Sequence, residues 1–172
     1  MKKFLIIFFT FVFVLGANAQ TSIAGVDFGL DYDTAKLILE NRFGKCDYDS
    51  DANTLEFSNK EYAGLFFTGL RFGFQRTASK SYMNRCILFN YYETAHDAIT
   101  ERDLFKDIVS KKYVLDSFKD EDGFIFYRGG SNPLDKDKYG FLIDVVKLNP
   151  PAKSKYCVRI YYGPYNYLNE GF

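Results

Sequence analysis

The chain contains no tryptophan, one histidine and only three cysteines in 172 residues. The lone His96 falls in the polar stretch TAHDAITERD and reads as a surface residue near a helix start. A Ser-His-Asp or Cys-His set would have to be assembled around that single imidazole, so nucleophilic catalysis is not expected. Cys46, Cys86 and Cys157 are spaced by 40 and 71 residues, which matches no zinc-ligand pattern. No metal centre, cofactor or catalytic set is therefore expected. Three thiols allow one intramolecular disulfide at most. Cys86 with Cys157 is the expected pair if one forms, since both lie in strand-like segments; a buried free thiol at Cys86 is the alternative.

An excess of one charge is also missing, with 22 Lys and Arg against 22 Asp and Glu. That balance lacks the basic footprint of a nucleic-acid-binding surface. Long hydrophobic runs are limited to one, from Phe4 to Leu15, about 12 residues against the ~20 needed to span a bilayer. Lys2 and Lys3 precede it, and Ala17-Asn18-Ala19 supplies the small-x-small pattern of a signal-peptidase site. Residues 1–19 are thus expected to be a signal peptide. With no cysteine at the cleavage point, the chain from Gln20 is expected to carry no lipid or membrane anchor and to reside in the periplasm or outside the cell. Residues 20–172 form one domain, long enough to bury a core.

Aromatics are abundant by contrast, with 19 Phe and 14 Tyr, residue types that favour strands and large buried contacts. The segment DYDTAKLILENRFG predicts a helix capped by Asp31 and ended by Gly44, with Ala35, Ile38, Leu39 and Phe43 on one face. A second helix opens at Thr94, whose T-x-x-D pairing with Asp97 is a form of capping box. Ala98, Phe105, Ile108 and Val109 give its apolar stripe, and Lys111 and Lys112 are placed in its last turn. Strand patterns follow each helix, at about 54–58, 63–75 and 84–92, then at 124–128, 139–148 and 156–162. The fold class is α+β, with two tandem helix-plus-three-strand repeats, about 25–93 and 94–172. About six strands form an antiparallel sheet with the helices on one face. Residues 39–57 also align with 109–127 at an offset of 70, consistent with an internal duplication.

The segment GVDFGLDYDTAKLILENRFGK, with Gly25, Gly29, the cap at Asp31 and the exit at Phe43-Gly44, resembles the helix-opening motif of exported proteins with a β-lactamase-inhibitor-protein-like fold. The SmpA/OmlA envelope proteins share that motif. The chain is also similar to a group of small secreted Bacteroidetes proteins carrying FGFQRTASKSYMNRC and a terminal YGPYNY. The resemblance implies an exported binding or inhibitory module rather than an enzyme. The chain departs from the motif in lacking a lipid-anchor cysteine and in carrying Cys46 where a proline commonly follows the helix.

Asp47, Asp49 and Asp51 open like a calcium loop. Ala52 stands where the loop needs glycine and Ser58 where it needs a bidentate glutamate, so an acidic turn is expected instead, as it is at the counterpart segment DSFKDEDG (116–123). Two other stretches suggest recognition. GFQRTASKSYMNR gathers Arg71, Arg76, Lys80 and Arg85, and the tail RIYYGPYNYLNEGF is rich in tyrosine. Strand alternation would bury Val158, Ile160 and Tyr162 and turn Tyr161 outward. The expected contacts are Tyr161, Tyr165, Tyr167, Arg71 and Arg76, meeting a protein or glycan on the open sheet face. Two alternatives stand behind this: an envelope structural or assembly component, and, least favoured, a polysaccharide-acting enzyme.

Overall fold

A computed structural model describes residues 21–50 and 52–166. The expected signal segment, the cleavage site and Tyr167 lie outside the described residues. Helix α1 (Tyr32–Phe43) starts where the Asp31 carboxylate accepts the Thr34 N–H at 3.1 Å, meeting one of the four donors a helix start leaves unpaired. It ends at Gly44, whose φ of 84° is open to glycine, and whose N–H closes on the Glu40 carbonyl. Helix α2 (Ala95–Val109) is capped by the Thr94 hydroxyl, which accepts from the Asp97 N–H and donates to its carboxylate. It ends at Val109, so Lys111 and Lys112 sit in the following turn rather than in the last helical turn.

A short hairpin, β1 (Ser22–Ile23) and β2 (Val26–Asp27), precedes α1. Four strands follow α1: β3 (Tyr48–Asp49), β4 (Thr54–Tyr62), β5 (Leu65–Arg76) and β6 (Ser81–Tyr92). Four more follow α2: β7 (Leu115–Lys119), β8 (Ile125–Ser131), β9 (Tyr139–Lys147) and β10 (Tyr156–Tyr162). The eight form one antiparallel sheet in the order β3-β4-β5-β6-β10-β9-β8-β7. Among the described residues each helix is thus followed by four strands, not three. The additions, β3 and β7, lie at the acidic segments expected to be turns, and each pairs as the short outer arm of a hairpin.

Alternation along the strands assigns the two faces. Phe57, Leu70, Leu88, Ile160, Ile143 and Tyr127 oppose one another across six strands. All but the half-buried Tyr127 join one buried cluster with Ala35 and Leu39 of α1 and Ala98 and Phe105 of α2. Both helices therefore cover this face. Fully burying each such Leu or Phe contributes about 1.5–3 kcal/mol. At the end of the sheet where β10 stops, the chain after β2 takes its place: the Gly29 N–H bonds the Met83 carbonyl, and the Met83 N–H bonds that of Leu30.

The same register corrects the disulfide expectation. Cys86 lies opposite Tyr162 and Cys157 opposite Tyr91, five positions apart along the paired strands. That is about 17 Å at 3.3–3.4 Å per residue, and a bridge needs its Cα atoms within about 7 Å. An odd offset also puts them on opposite faces. All three cysteines are free thiols.

Candidate functional site

The face turned away from the helices carries an unbroken row of paired residues. It begins at Tyr48 on β3 and runs through Glu56, Arg71 and Ile87 on β4, β5 and β6. It continues through Tyr161 on β10 and Leu142 on β9 to Arg128 and Asp116 at the far edge. One residue from each of the eight strands therefore points to this side. Two of the expected contacts, Arg71 and Tyr161, are brought together here, separated only by Ile87.

Guanidinium groups on this face lie over aromatic rings. Arg71 stands over Phe89, 5.2 Å from Cζ to ring centroid, and its Nε donates to Glu56 at 2.8 Å. Arg159 stands over Tyr161 at 5.6 Å and grips Asp144 with two hydrogen bonds of 2.8 Å. Those bonds to a carboxylate raise the guanidinium's already high pKa further. Arg128 lies over both Phe118 and Phe126 at 5.1 Å, and Tyr139 beside it donates to Asp116. Two glycines make the arrangement possible. A Cβ on Gly69 would lie 2.2 Å from Phe89 Cζ, and one on Gly73 would lie 2.2 Å from Arg85 Nε. Phe89 and Arg85 thus lean across β5 over positions that carry no side chain.

Two shallow grooves occupy this face. One of about 410 Å³ is bordered by Tyr48, Glu56, Arg71, Arg85, Arg159 and Tyr161. A second, about 320 Å³, lies between Arg128, Tyr139, Leu142 and Tyr161. Tyr161 belongs to both.

The other expected contacts are elsewhere. Arg76 is five residues beyond Arg71 on β5, an odd step that turns it to the opposite side. It borders a separate cleft of about 800 Å³ with Tyr32, Lys36 and the Thr77–Lys80 turn. Opposite charges fill that cleft, and Asp49 within it is already bound by Lys36 Nζ at 2.7 Å and by the Tyr32 hydroxyl. Tyr165 is fully buried: its ring meets Phe28 edge-on at 4.5 Å and its hydroxyl donates to the Gly140 carbonyl at 2.6 Å. It is a packing residue, not a surface contact, because the chain after Gly163 folds back over the core instead of extending β10.

The acidic segment has diverging carboxylates. Asp47 accepts the Ser58 N–H, whereas Asp49 faces α1. Among the described residues no group of three His, Cys, Asp or Glu side chains is disposed to hold a metal. His96 lies exposed on the first turn of α2. Burial pushes the thiol of Cys157 up to about 11 and that of Cys86 well above its ordinary value, so neither is a ready nucleophile.

Arg85, Arg128 and Arg159 complete the face and were not among the expected contacts. Their signal was available: with Cys86 and Leu88 as core positions of β6, alternation sends Arg85, Ile87, Phe89 and Tyr91 to the other side. The same counting on β10 turns Arg159 outward with Tyr161. No family model, curated protein or solved structure matches this chain.

Proposed function

We propose that the protein is an exported, non-enzymatic binding or inhibitory module that recognises a protein partner through the sheet face opposite its helices. The observation that carries this reading is the eight-strand row of two Arg, two Tyr, two apolar and two acidic residues on the face that neither helix covers. Arg and aromatic residues are enriched where protein interfaces place their binding energy. A protein partner is favoured over a glycan because most rings of this face are occupied, Tyr48 and Tyr91 being the exposed exceptions. Sugars stack on bare ring faces, whereas Phe89, Tyr161 and the Phe118–Phe126 pair each lie under a guanidinium.

The tandem-repeat reading, and with it the β-lactamase-inhibitor-protein-like resemblance, has its own support. Strands β3 and β7 end at Asp49 and Lys119, β4 and β8 at Tyr62 and Ser131, β5 and β9 at Arg76 and Lys147, β6 and β10 at Tyr92 and Tyr162. Those separations are 70, 69, 71 and 70 residues, close to the offset at which the sequence aligns with itself. The two meanders then meet through β6 and β10, and the binding row crosses that junction.

A second reading, an envelope assembly component, draws on β7. Its outer edge pairs with no described strand, and Val114 just before it is 89% exposed, so a partner strand could add there.

Photo-cross-linking in the producing cells tests the first reading. A cross-linker at Ile87 should yield a discrete protein adduct, and one at Leu104, exposed on α2, should not. Adducts from Leu104 alone, or a loss of capture confined to β7-edge substitutions, would overturn it.

A further inference from the structure

We propose that Arg85 is the anchor of this face, seating a single acidic side chain of the protein partner in the groove between β3 and β10. This rests on the binding-face reading above and gives it a chemistry.

Charge in the groove is the starting point. Its border carries three guanidinium groups, Arg71, Arg85 and Arg159, and one carboxylate, Glu56. Arg71 is neutralised by Glu56, and Arg159 is held at two points by Asp144. Arg85 pairs with no carboxylate of the described residues. One positive charge is thus left over, at a site walled by two pairs that are already satisfied. A guanidinium retains free N–H donors in a planar fork, the geometry that binds a carboxylate through two parallel bonds.

Arg85 is also placed, rather than loose. Its Cγ, Cδ and Nε occupy the space over Gly73, where a Cβ would come within 2.2–2.9 Å of all three. The stem is laid across β5 before any partner arrives, which reduces the ordering cost of binding. Ile87, two residues along on the same face, and Tyr161 beside it supply apolar surface next to the charge. The complement is an Asp or Glu flanked by an apolar or aromatic residue. An acidic sugar would bring the same carboxylate, but Phe89 and Tyr161 are already covered by Arg71 and Arg159, which leaves Tyr48 as the one exposed ring on the groove border for it to stack on.

The test uses the 15N-labelled protein and arginine Nε–H signals, titrated with poly-L-glutamate, with polyglucuronate and with inorganic phosphate. Poly-L-glutamate should shift the Arg85 signal, polyglucuronate and phosphate should not at equal charge concentration, and Arg76 should stay unmoved. Arg85→Gln should weaken poly-L-glutamate binding at least about tenfold, and Arg76→Gln should leave it unchanged. Gly73→Ala, which keeps the arginine but displaces its stem, should weaken it as well. An unmoved Arg85 signal in the unsubstituted protein overturns the proposal without reference to any variant. So does a response to polyglucuronate or phosphate equal to that of poly-L-glutamate. If the Ile87 cross-link persists in Arg85→Gln with undiminished yield, the anchor is wrong and the binding face stands; if the Ile87 cross-link is absent from the unsubstituted protein, the face itself is wrong.

Discussion

The tip of the Phe89 ring occupies the space over Gly69 across the β5–β6 pair, so close that a methyl group at 69 would lie 2.2 Å from Phe89 Cζ. Arg71 then stands over the same ring. Gly69 has ordinary backbone angles, so alanine there is opposed by crowding and not by conformation. Gly69→Ala should cost about 1–3 kcal/mol by overpacking, read from urea denaturation. Phe89→Leu should recover part of that loss only in the Gly69→Ala background. Strictly additive effects in the double-mutant cycle would sink the contact.

The thiols should separate by reactivity. Cys46 is half-buried beside the Glu40 carboxylate, while Cys86 and Cys157 are buried on opposite faces of the sheet. Mass measurement after denaturation without reductant should count three free thiols. In the native protein a maleimide should label Cys46 first, and the other two only at the rate of opening of the sheet. A covalent pair between any two of them would contradict the strand register.

Local signals were the most legible. Asp31 and the Thr94/Asp97 pair cap the helices as their residue types demand, and period-2 patterns located the six longer strands. β3 escaped because two residues carry no periodicity, and β7 because its Asp, Ser and Lys read as a polar turn. Which polar residues are buried was legible only with a helix in hand. Arg102 lies four after Ala98 and three before Phe105, inside the apolar stripe, and its guanidinium binds the Ile125 carbonyl at 2.8 Å and the Asp103 carboxylate. The candidate site divides the same way. Parity along a strand puts Arg71 on the open face and Arg76 behind it. No sequence rule foretold the path after Gly163, because once the strand pattern stops, position depends on the core the chain meets.

Acid should loosen the seam between α1 and β3. The Lys36 ammonium, and after it the Tyr32 hydroxyl, hold the Asp49 carboxyl below its ordinary value, and the Thr34 N–H does the same for Asp31. A carboxyl with a lower pKa folded than unfolded stabilises fully above its unfolded value, near 3.9. That contribution is lost as pH falls through the folded pKa. Stability should therefore decline below about pH 4, and Asp49→Asn should flatten that decline. At pH 7 the substitution should cost no more than about 1 kcal/mol, because the ion pair is about a third exposed. Urea melts at pH 7, 4 and 2.5 decide it; identical slopes for both proteins would mean that Asp49 carries none of the linkage.

Tyr161 and Tyr165 should part company under substitution, although the sequence sets them four residues apart in one aromatic run. Tyr165 seals the core beside Phe28 and caps the Gly140 carbonyl. Tyr165→Phe leaves that carbonyl only the long 3.5 Å bond from the Gly163 N–H and should cost about 1–3 kcal/mol; Tyr165→Ala, which also opens a cavity, should cost about 3–5 kcal/mol. Neither should alter capture at the open face once stability is restored by lowering the temperature. Tyr161→Ala should do the reverse: a small change in melting temperature and a loss of capture, because its ring borders both grooves. Equal losses of capture from Tyr165→Phe and Tyr161→Ala would mean that the tail, and not the sheet face, meets the partner.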